Sequence, residues 1–396
     1  MIPIEDALNT LLTDVATITD TEIVALKDAQ RRVLATAVHS TINVPPADVS
    51  AMDGYAVAYD NIKTLTAYPV SQRIAAGHSA RELDPQTIAR IFTGSVVPPN
   101  ADTVIIQEDA IVNADASVSF KELPARGSNI RKRGQDIVAG AEILSLGHCL
   151  RAQDLGVIAS VGIGSVDCYR SLRVGVLSSG DELTEPGQVL GPGKIYNSNR
   201  YTLLGLIHSL GMTFVDLGHV EDNLMATQSA LRDAVDKVDI ILTTGGVSVG
   251  EEDHIKRAVE SLGQLQLWKL AIKPGKPLAY GKIQKRPFFG LPGNPVAVFV
   301  TFLMVVRPYL QKMQGQILSD NGAIKIPCNF SVTNPSPRQE YRRVRMHKGT
   351  ISEYHTQDSG VLTSTHWANA LAVIPANTTV TSGDLLDVYP FSLFNL

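Results

Sequence analysis

Acidic side chains follow three short apolar runs of the sequence, and this recurrence is the first indication of chemistry. The acids are Asp181 and Glu182 after the first run, Asp222 after the second, and Glu251 to Asp253 after the third. A single acid in such a place is typical of a helix cap. Three acidic turns that meet at one edge would instead suit a hard divalent cation, which prefers oxygen ligands and retains several waters. The pattern therefore predicts a site for a divalent cation at this edge.

Cations follow in a segment that prolines make stiff. Lys269, Lys273 and Lys276 stand at spacings of four and three, with Pro274 and Pro277 between and after them. A rigid loop that presents cations suits an oxyanion, because little conformational freedom is lost when the anion binds.

A second proline motif, Gly290 to Pro295, follows the lysines. It has Asn294 placed to cap a helix and Pro295 at the first helical position. Taken alone, the segment from Pro292 to Pro295 is typical of a helix start. Facing the lysines, it would also form one side of an anion pocket.

The loop Thr243 to Gly250 joins an apolar run to a predicted helix and is rich in glycine. Backbone N–H groups at Gly245, Gly246 and Ser248 could approach a ligand closely, at the positive end of the helix. The acids that follow would repel a bare phosphate but would tolerate one that carries a divalent cation. An anion cradle and a simple capped turn both remain open from this stretch.

The elements that must position these residues alternate between strands and helices. Apolar runs at Arg173 to Leu177, Thr213 to Leu217 and Val238 to Leu242 are each followed by a helical pattern. This alternation specifies βαβ units and a doubly wound, mostly parallel sheet. In such sheets ligands lie beyond the carboxyl ends of the strands, where the three acidic turns are expected.

The whole chain has 396 residues, too many for one core, and predicts a multidomain protein of the α/β plus β class. Apolar spacing from Ile4 to Val15 predicts a first helix, Asp28 to Val38 a second, and Ala139 to Val166 a return to helix. The predicted domains are a discontinuous helical and extended linker domain (1–45 and 138–168), an inserted β-rich domain (46–137), a central α/β domain (169–318) and a C-terminal β-barrel-like domain (319–396).

Two basic clusters are interpreted as surface charges rather than as binding sites. Arg126 to Arg133 holds four cations in eight residues and is typical of a solvated face, although its glycine and the following Asp136 would suit a loop that touches phosphate near a metal. The C-terminal patch is read as a strand edge protected by charge. Its members are Arg338, Arg342, Arg343 and Arg345.

Composition excludes several classes of protein. The net charge of −4 offers no general attraction to nucleic acid. Three cysteines without a C-x-x-C pair argue against a zinc site and a disulfide framework, and favour a reducing, cytoplasmic location. The start lacks a signal-peptide pattern. The apolar run Val296 to Val306 is shorter than the ~20 residues that a membrane span needs, and predicts a buried helix.

Seven motifs in fixed order resemble the MoeA family of molybdopterin molybdenumtransferases over nearly the whole chain. The motifs are Ser50 to Ala56, Phe92 to Gly94, Asn129 to Ile137, Ser179 to Leu183, Gly245 to Gly250, Lys273 to Pro277 and Leu291 to Pro295. The resemblance implies an enzyme that uses Mg²⁺, adenylyl-molybdopterin and molybdate, inserts molybdenum into the dithiolene and releases AMP. It also implies an elongated homodimer of four-domain subunits, with an active site between the central domain of one subunit and parts of the other.

The resemblance implies functional roles for individual residues by motif position. The catalytic residues would be Asp53, Thr93, Asp136, Glu182, Asp222 and Asp253, and among them Glu182, Asp222 and Asp253 would be the Mg²⁺ ligands. The substrate-binding residues would be Gly245, Gly246, Ser248, Lys269, Lys273, Lys276, Pro292, Pro295, Arg338 and Ser359. A molybdopterin adenylyltransferase and acceptor molybdoenzymes are expected as partners, and neither nucleic acid nor a membrane is.

The chain departs from the family pattern at four positions. Val49, Gln135 and Asn197 stand where acids are common, and Arg31 where glycine is common. The first three departures leave the number of metal ligands open. A molybdopterin adenylyltransferase is one alternative, although that enzyme lacks the Lys273 to Pro277 motif and the flanking domains. A scaffold of the gephyrin E-domain type, which anchors receptors, is the other.

Overall fold

The computed structural model describes residues 1–245, 254–318 and 322–396. The chain begins with a helix, α1 (Ile4–Thr13), that buries Ile4, Ala7 and Leu11. These side chains join the core of the central α/β part. The sequence interpretation placed this helix in the linker domain. In the structure the apolar face of α1 is covered by the central helices rather than by the linker strands.

The elements between α1 and the central sheet are short. In chain order they are β1 (Thr21–Ala25), β2 (Val38–His39), β3 (Val49–Ser50), β4 (Gly54–Val57), β5 (Val70–Ile74), β6 (Ile88–Ile91), β7 (Thr103–Ile106), β8 (Ala110–Val112), β9 (Val118–Phe120), β10 (Ile130–Arg131), β11 (Glu142–Leu144), α2 (Ala152–Ser160) and β12 (Ser165–Tyr169).

The linker part is made by two segments of chain that meet again in space. Strand β1 pairs antiparallel with β12, and β2 pairs antiparallel with β11. The predicted helix from Asp28 to Val38 does not form: only Leu26–Asp28 makes a 3-10 turn. The backbone N–H of Leu34 donates instead to the carbonyl of His148 at 3.0 Å. Pairing with the distant returning segment satisfies these backbone groups, and the helix that the local sequence favours does not form. Of the predicted helix Ala139 to Val166, only α2 forms.

The inserted part is a small sheet of strand order β5-β6-β4-β7 with a separate hairpin, β8 and β9. Gly54 is needed here because a Cβ at this position would lie 2.0 Å from the carbonyl oxygen of Ile105 on the neighbouring strand.

The basic cluster Arg126 to Arg133 lies on the inserted part, and ion pairs neutralise part of its charge. Arg126 pairs with Asp102 at 2.7 Å, and Lys132 pairs with Asp48 at 2.8 Å.

The central part has a six-stranded sheet of order β16-β13-β17-β21-β20-β18. Its elements are β13 (Arg173–Ser179), β14 (Leu183–Thr184), β15 (Ile195–Tyr196), α3 (Ser198–Ser209), β16 (Thr213–Val220), α4 (Leu224–Val235), β17 (Ile240–Thr244), α5 (His254–Leu262), β18 (Gly263–Lys269), β20 (Pro277–Ile283), β21 (Arg286–Leu291), α6 (Pro295–Thr301) and α7 (Arg307–Met313), with β19 (Ile272–Lys273) lying outside this sheet.

The three pairings among β16, β13, β17 and β21 are parallel, and the two that involve β20 and β18 are antiparallel. The sheet is therefore mixed, with its parallel half carrying the acidic turns. Apolar clusters cover both faces, and every residue of β17 is buried, which explains its β-branched run.

The helical segment Pro295–Met313 is long and apolar enough to span a membrane by length and composition, but 83% of its apolar window is buried inside the protein. This confirms the buried helix predicted at Val296 to Val306. The segment widens to a π-helix at Phe302–Val306. Pro308, which has no N–H to donate, follows the widening.

The C-terminal part contains β22 (Ile324–Pro327), β23 (Gln339–His347), β24 (Thr350–Glu353), α8 (Thr363–Trp367), β25 (Ala370–Ile374) and β26 (Leu385–Pro390). Its sheet has the order β19-β23-β25-β26-β22, with β24 beside β23. A bridge between Cys328 and Ile351 joins the end of β22 to β24, which curves the sheet back on itself. Strand β19 lies within the segment Lys269 to Pro277, which we call the lysine segment. The C-terminal sheet is therefore joined directly to the central part.

The arginines of β23 are not the exposed edge that the sequence suggested. Arg343 is fully buried; its Nε donates to Ser364 Oγ at 3.1 Å and its Nη2 to the Asp358 carbonyl at 3.0 Å. Arg345 lies over the ring of Trp367, 4.7 Å from its centroid. These side chains brace the segment 354–367 against the sheet, because β23 is a central strand and not an edge.

Candidate functional site

A cavity of about 560 Å³ opens where the lysine segment, the start of α6 and the C-terminal part meet. We call it the lysine cavity. Its lining includes predicted substrate-binding residues from five separate stretches of the sequence. They are Gly245, Lys273, Lys276, Pro292, Arg338 and Ser359. Residues that are far apart in the sequence therefore form one basic cavity, which their spacing in the sequence could only suggest.

The backbone of the lysine segment is fixed by close packing. Gly275 has a φ of +106°, and a Cβ there would lie 2.4 Å from Thr301 Oγ1 on the buried helix. Glycine suits both the positive φ and this approach, because a Cβ would clash with the Thr301 hydroxyl. Arg338 closes the segment from the other side, since its Nη1 donates to the carbonyl of Ile272 at 3.1 Å.

The cations of the lysine cavity are held differently. Lys273 Nζ lies 2.9 Å from Glu340 Oε1, so part of its charge is already balanced. Burial alone would raise the pKa of the Glu340 carboxyl, but hydrogen bonds from Lys273 and Arg342 outweigh burial and lower that pKa. The ammonium of Lys276 is exposed and makes no hydrogen bond or ion pair with any residue that the structure describes. Lys276 therefore has its charge available to a ligand, as does Arg338, which forms no ion pair with the described residues.

A second cavity, of about 490 Å³, adjoins the first. We call it the acidic cavity. Both cavities are lined by Gly245, Gly293 and Asn294, so a ligand in one can reach a ligand in the other. Its remaining polar lining comes from the ends of β13, β15 and β17 and from the start of α3. These residues are Ser179, Glu182, Tyr196, Asn197, Ser198, Asn199 and Thr244.

The acids at the ends of β13 and β16 are neighbours, as the strand pattern predicts. Ser179 Oγ donates to Asp222 Oδ1 at 3.4 Å, and the Asp222 backbone N–H donates to Asp181 Oδ1 at 3.1 Å. Ser179 lines the acidic cavity together with Glu182. Two parallel strands thus deliver Glu182 and Asp222 to the same edge of the sheet.

The carboxylate oxygens at this edge fit a hard divalent cation, because exposed carboxylates can coordinate Mg²⁺ that keeps several of its waters. Within residues 1–245, 254–318 and 322–396, no group of three or more Asp, Glu, His or Cys side chains has a metal-binding arrangement. Asp253, the third predicted ligand, and the predicted loop residues Gly246 and Ser248 lie outside the described residues.

Asp53 and Thr93 form a pair within the inserted part. The Thr93 backbone N–H and hydroxyl both donate to Asp53 Oδ1 at 2.8 Å. The backbone N–H is the larger cause and the hydroxyl the next, and together they lower the pKa of the Asp53 carboxyl. Asp136 follows β10 and is exposed. Its backbone N–H donates to the Val44 carbonyl at 2.9 Å. None of these three residues lines the lysine cavity or the acidic cavity.

Three predicted positions are placed differently from the expectation. Lys269 ends β18 and lines neither cavity, because it points to the opposite face from the buried Trp268. Asn294 precedes α6 but does not cap it with its side chain. Its Nδ2 donates to Ser359 Oγ at 2.8 Å instead. Pro295 lines the acidic cavity and not the lysine cavity.

Sequence reasoning missed Asn199 and Gln357. Asn199 donates to the Gly293 carbonyl at 2.7 Å and so fixes the loop shared by the two cavities. Gln357 lines the lysine cavity and accepts from the Arg343 backbone N–H at 2.9 Å. Neither residue stands in a pattern that marks a site, because each acts through a loop from a distant part of the chain.

Comparison with known proteins assigns a family to each part of the chain. Residues 2–162 match the model described as the MoeA N-terminal region, domains I and II. Residues 175–312 match the probable molybdopterin binding domain, and residues 325–391 match the MoeA C-terminal region, domain IV.

Relatives match over most of the chain. A molybdopterin molybdenumtransferase of Haemophilus influenzae is 43% identical over 317 residues, 80% of this chain and 78% of that protein. One from Nostoc is 35% identical over 379 residues, 92% and 87% of the two chains. The crystal structure of a molybdopterin biosynthesis MoeA protein from Pyrococcus horikoshii superposes with a TM-score of 0.85 at 28% identity, over 98% of this chain and all of that one.

Proposed function

Because the chain belongs to the MoeA family of molybdopterin molybdenumtransferases, enzymes of molybdenum cofactor biosynthesis, we propose that its two adjoining cavities hold molybdate and adenylyl-molybdopterin side by side. The observation that carries the proposal is their shared lining of Gly245, Gly293 and Asn294, with cations on one side and Glu182 on the other. The reaction is insertion of molybdenum into the dithiolene, with release of AMP.

In the proposed arrangement the lysine cavity receives molybdate, a tetrahedral dianion. Lys276 and Arg338 attract it, and Lys273 adds charge that Glu340 partly balances. The rigid backbone around Gly275 keeps these cations in place before the anion arrives, so that little ordering is required on binding. The dithiolene sulfurs would lie at the boundary between the cavities.

Glu182 and Asp222 are the described residues that would hold Mg²⁺, with Asp253 as the third proposed ligand. When bound there, Mg²⁺ would neutralise charge on the pyrophosphate of adenylyl-molybdopterin as a Lewis acid. Ser179 positions Asp222 by donating to it, and the acids by themselves would repel the pyrophosphate.

Asp53, Thr93 and Asp136 enter the proposal through a homodimer. They lie on the inserted part and line neither cavity, so a role in catalysis requires that the inserted part of one subunit reach the central part of the other. We further propose a cytoplasmic enzyme that receives its substrate from a molybdopterin adenylyltransferase and hands the cofactor to acceptor molybdoenzymes. Neither nucleic acid nor a membrane takes part. The four-domain division belongs to the same proposal, with α1 assigned to the central domain.

The decisive experiment mixes the purified chain with adenylyl-molybdopterin, molybdate and Mg²⁺. We expect AMP release that depends on both molybdate and Mg²⁺, together with cofactor that activates an apo-molybdoenzyme. A scaffold would release no AMP. An adenylyltransferase would consume ATP and molybdopterin and would leave molybdate unused, so either result would overturn the proposed reaction.

A further inference from the structure

A third cavity, of about 500 Å³, lies where the linker part, the central part and the C-terminus meet. We call it the junction cavity. It shares no lining residue with the lysine cavity or the acidic cavity. The lining that bears charge or hydrogen-bonding groups comes from all three parts of the chain. These residues include Arg31, His148, Arg151, Arg307, Gln311 and Asn395.

Among the residues that the structure describes, no carboxylate pairs with the buried cation Arg307. It is only 5% exposed, and its Nε is buried without a hydrogen-bond partner among the residues that the structure describes. Its Nη2 donates to the Leu393 carbonyl at 3.2 Å, and its guanidinium lies 5.0 Å from the ring centroid of Phe394. Burial lowers the pKa of Arg307 to about 10, so the side chain stays charged at neutral pH. A buried, charged group with an unused donor is costly unless an anion reaches it.

Arg31 brings a second cation to the cavity from a backbone position that L residues rarely adopt. Its φ is +66°, in the left-handed region that favours glycine. Its backbone N–H donates to the Leu150 carbonyl at 2.7 Å, and the Cys149 thiol lies 3.8 Å from its carbonyl oxygen. A Cβ at Gly211 would lie 2.8 Å from the Arg31 Cβ, so the two parts of the chain touch here. The fold therefore holds an arginine where glycine would be less strained.

The charge balance of the junction cavity is positive. Arg31, Arg151 and Arg307 line it, whereas no Asp or Glu among the described residues does. Asp154, an acid that contacts the lining, is buried. It is already engaged by Arg151 at 3.0 Å and by His148 at 2.7 Å. Asp154 thus orients two lining residues but leaves Arg31 and Arg307 without an acidic partner.

We propose that the junction cavity binds a small anion through a phosphate group, supplied either by inorganic phosphate or by a phosphomonoester. Phosphate and phosphomonoesters carry between one and two negative charges at neutral pH and match the forked donors of arginine. The volume falls within the range of small-molecule sites, and Leu210 and Ile317 offer apolar contact to an organic group. The bound anion would join three parts of the chain, so its occupancy would stabilise their arrangement.

The test uses the full chain and two variants, titrated with inorganic phosphate and followed by calorimetry and thermal unfolding. Arg31→Gly removes one cation and also relieves the left-handed backbone, so the ligand-free variant should unfold at no lower temperature than the wild type. We expect it to bind phosphate at least tenfold more weakly at this site. Lys276→Ala, which removes a cation of the lysine cavity, should keep the phosphate-dependent rise in Tm.

Arg307→Gln is a second variant, which removes the buried charge, but it is informative only if the protein still folds; Arg31→Gly keeps the proposal testable otherwise. The proposal is overturned if phosphate raises the Tm of the wild type and of Arg31→Gly equally, if it raises neither, or if Lys276→Ala alone abolishes the rise.

A comparison of AMP, inorganic phosphate and adenosine then identifies the source of the phosphate group. Tighter binding of AMP than of inorganic phosphate would support a phosphomonoester, and equal binding would support inorganic phosphate. Adenosine should produce no rise in Tm through this cavity. A rise with adenosine as large as that with AMP would contradict recognition through phosphate.

Discussion

Lys273 Nζ lies 2.9 Å from Glu340 Oε1, and this contact joins the lysine segment of the central part to the longest strand of the C-terminal part. Glu340 is buried and also accepts from Arg342 Nε at 2.9 Å. One lysine of the motif is thus partly structural, whereas Lys276, three residues on, faces the cavity without such a partner among the described residues. The two lysines are therefore expected to respond differently to substitution.

Lys276→Ala should weaken molybdate binding while leaving the protein stable. Loss of a hydrogen bond to a charged group costs about 1.5–3 kcal/mol, which corresponds to roughly a 10- to 100-fold rise in the molybdate concentration needed for half-maximal activity. Steady-state AMP release at varied molybdate measures this rise. Lys282→Ala is the matched control, because Lys282 is an exposed lysine of β20 that lines neither cavity. The same molybdate dependence in Lys276→Ala and the control would remove Lys276 from the site.

Glu340→Gln should lower stability at neutral pH, by about 1–3 kcal/mol, because hydrogen bonds between charged groups are replaced by weaker ones. The folded-state pKa of Glu340 is lowered from its ordinary value of 4.5. The contribution of this carboxylate is therefore fully present above about pH 4.5 and is lost as the pH falls through the lower folded-state pKa.

Urea midpoints of the wild type and Glu340→Gln, measured at pH 7 and pH 3, should differ most at pH 7. A difference between the two proteins that grows on acidification would mean that the carboxylate is not stabilised by Lys273 and Arg342.

Much of this arrangement follows from local patterns, and the failures have physical causes. The acids Glu182 and Asp222 reach one sheet edge because strand polarity fixes where a parallel strand ends. Segment 28–38 was mispredicted because its backbone groups pair with residues far along the chain. The exposed position predicted for Arg343 is wrong, since no local signal shows that β23 lies inside a sheet. The pairing of Asn294 with Ser359 depends on how two domains dock, which sequence spacing does not encode.

Asp222→Asn should raise the Mg²⁺ concentration required for AMP release. The substitution keeps the size of the side chain but removes the charge that Mg²⁺ prefers in a ligand. Glu182→Gln should act in the same direction, because Glu182 lines the acidic cavity. Glu221→Gln is the matched control, since Glu221 is an exposed acid next to Asp222 that lines neither cavity. If Asp222→Asn and Glu221→Gln show the same Mg²⁺ dependence as the wild type, Asp222 is not a ligand.

Thr93→Val should raise the pKa of Asp53 toward its ordinary value without restoring it fully. The variant loses the hydroxyl donor, but the Thr93 backbone N–H, which is the larger cause of the lowered pKa, still points at Asp53 Oδ1. NMR titration of the ¹³C-labelled Asp53 carboxyl measures the change directly. Thr87→Val is a control in the same part of the chain, since its hydroxyl contacts Ser71 and the Asp84 carbonyl and not Asp53. An unchanged Asp53 titration in Thr93→Val would show that the backbone N–H alone sets the pKa.

Asp154→Asn should destabilise the linker part in a way that disappears in acid. Asp154 is 3% exposed and accepts from the Arg151 backbone N–H at 2.8 Å, which caps α2. Burial would raise the pKa of Asp154, but hydrogen bonds from Arg151 and His148 outweigh burial and lower that pKa to about 2. A lowering of this size corresponds to about 2 kcal/mol of stability, present above pH 4 and lost as the pH falls toward 2. Thermal unfolding of Asp154→Asn should therefore occur at a lower temperature than that of the wild type at pH 7, and the two should converge near pH 2.

Glu142→Gln, which removes an exposed carboxylate of the same part, should match the wild type at both pH values. Equal losses in Asp154→Asn and Glu142→Gln would show that burial of the Asp154 carboxylate adds nothing.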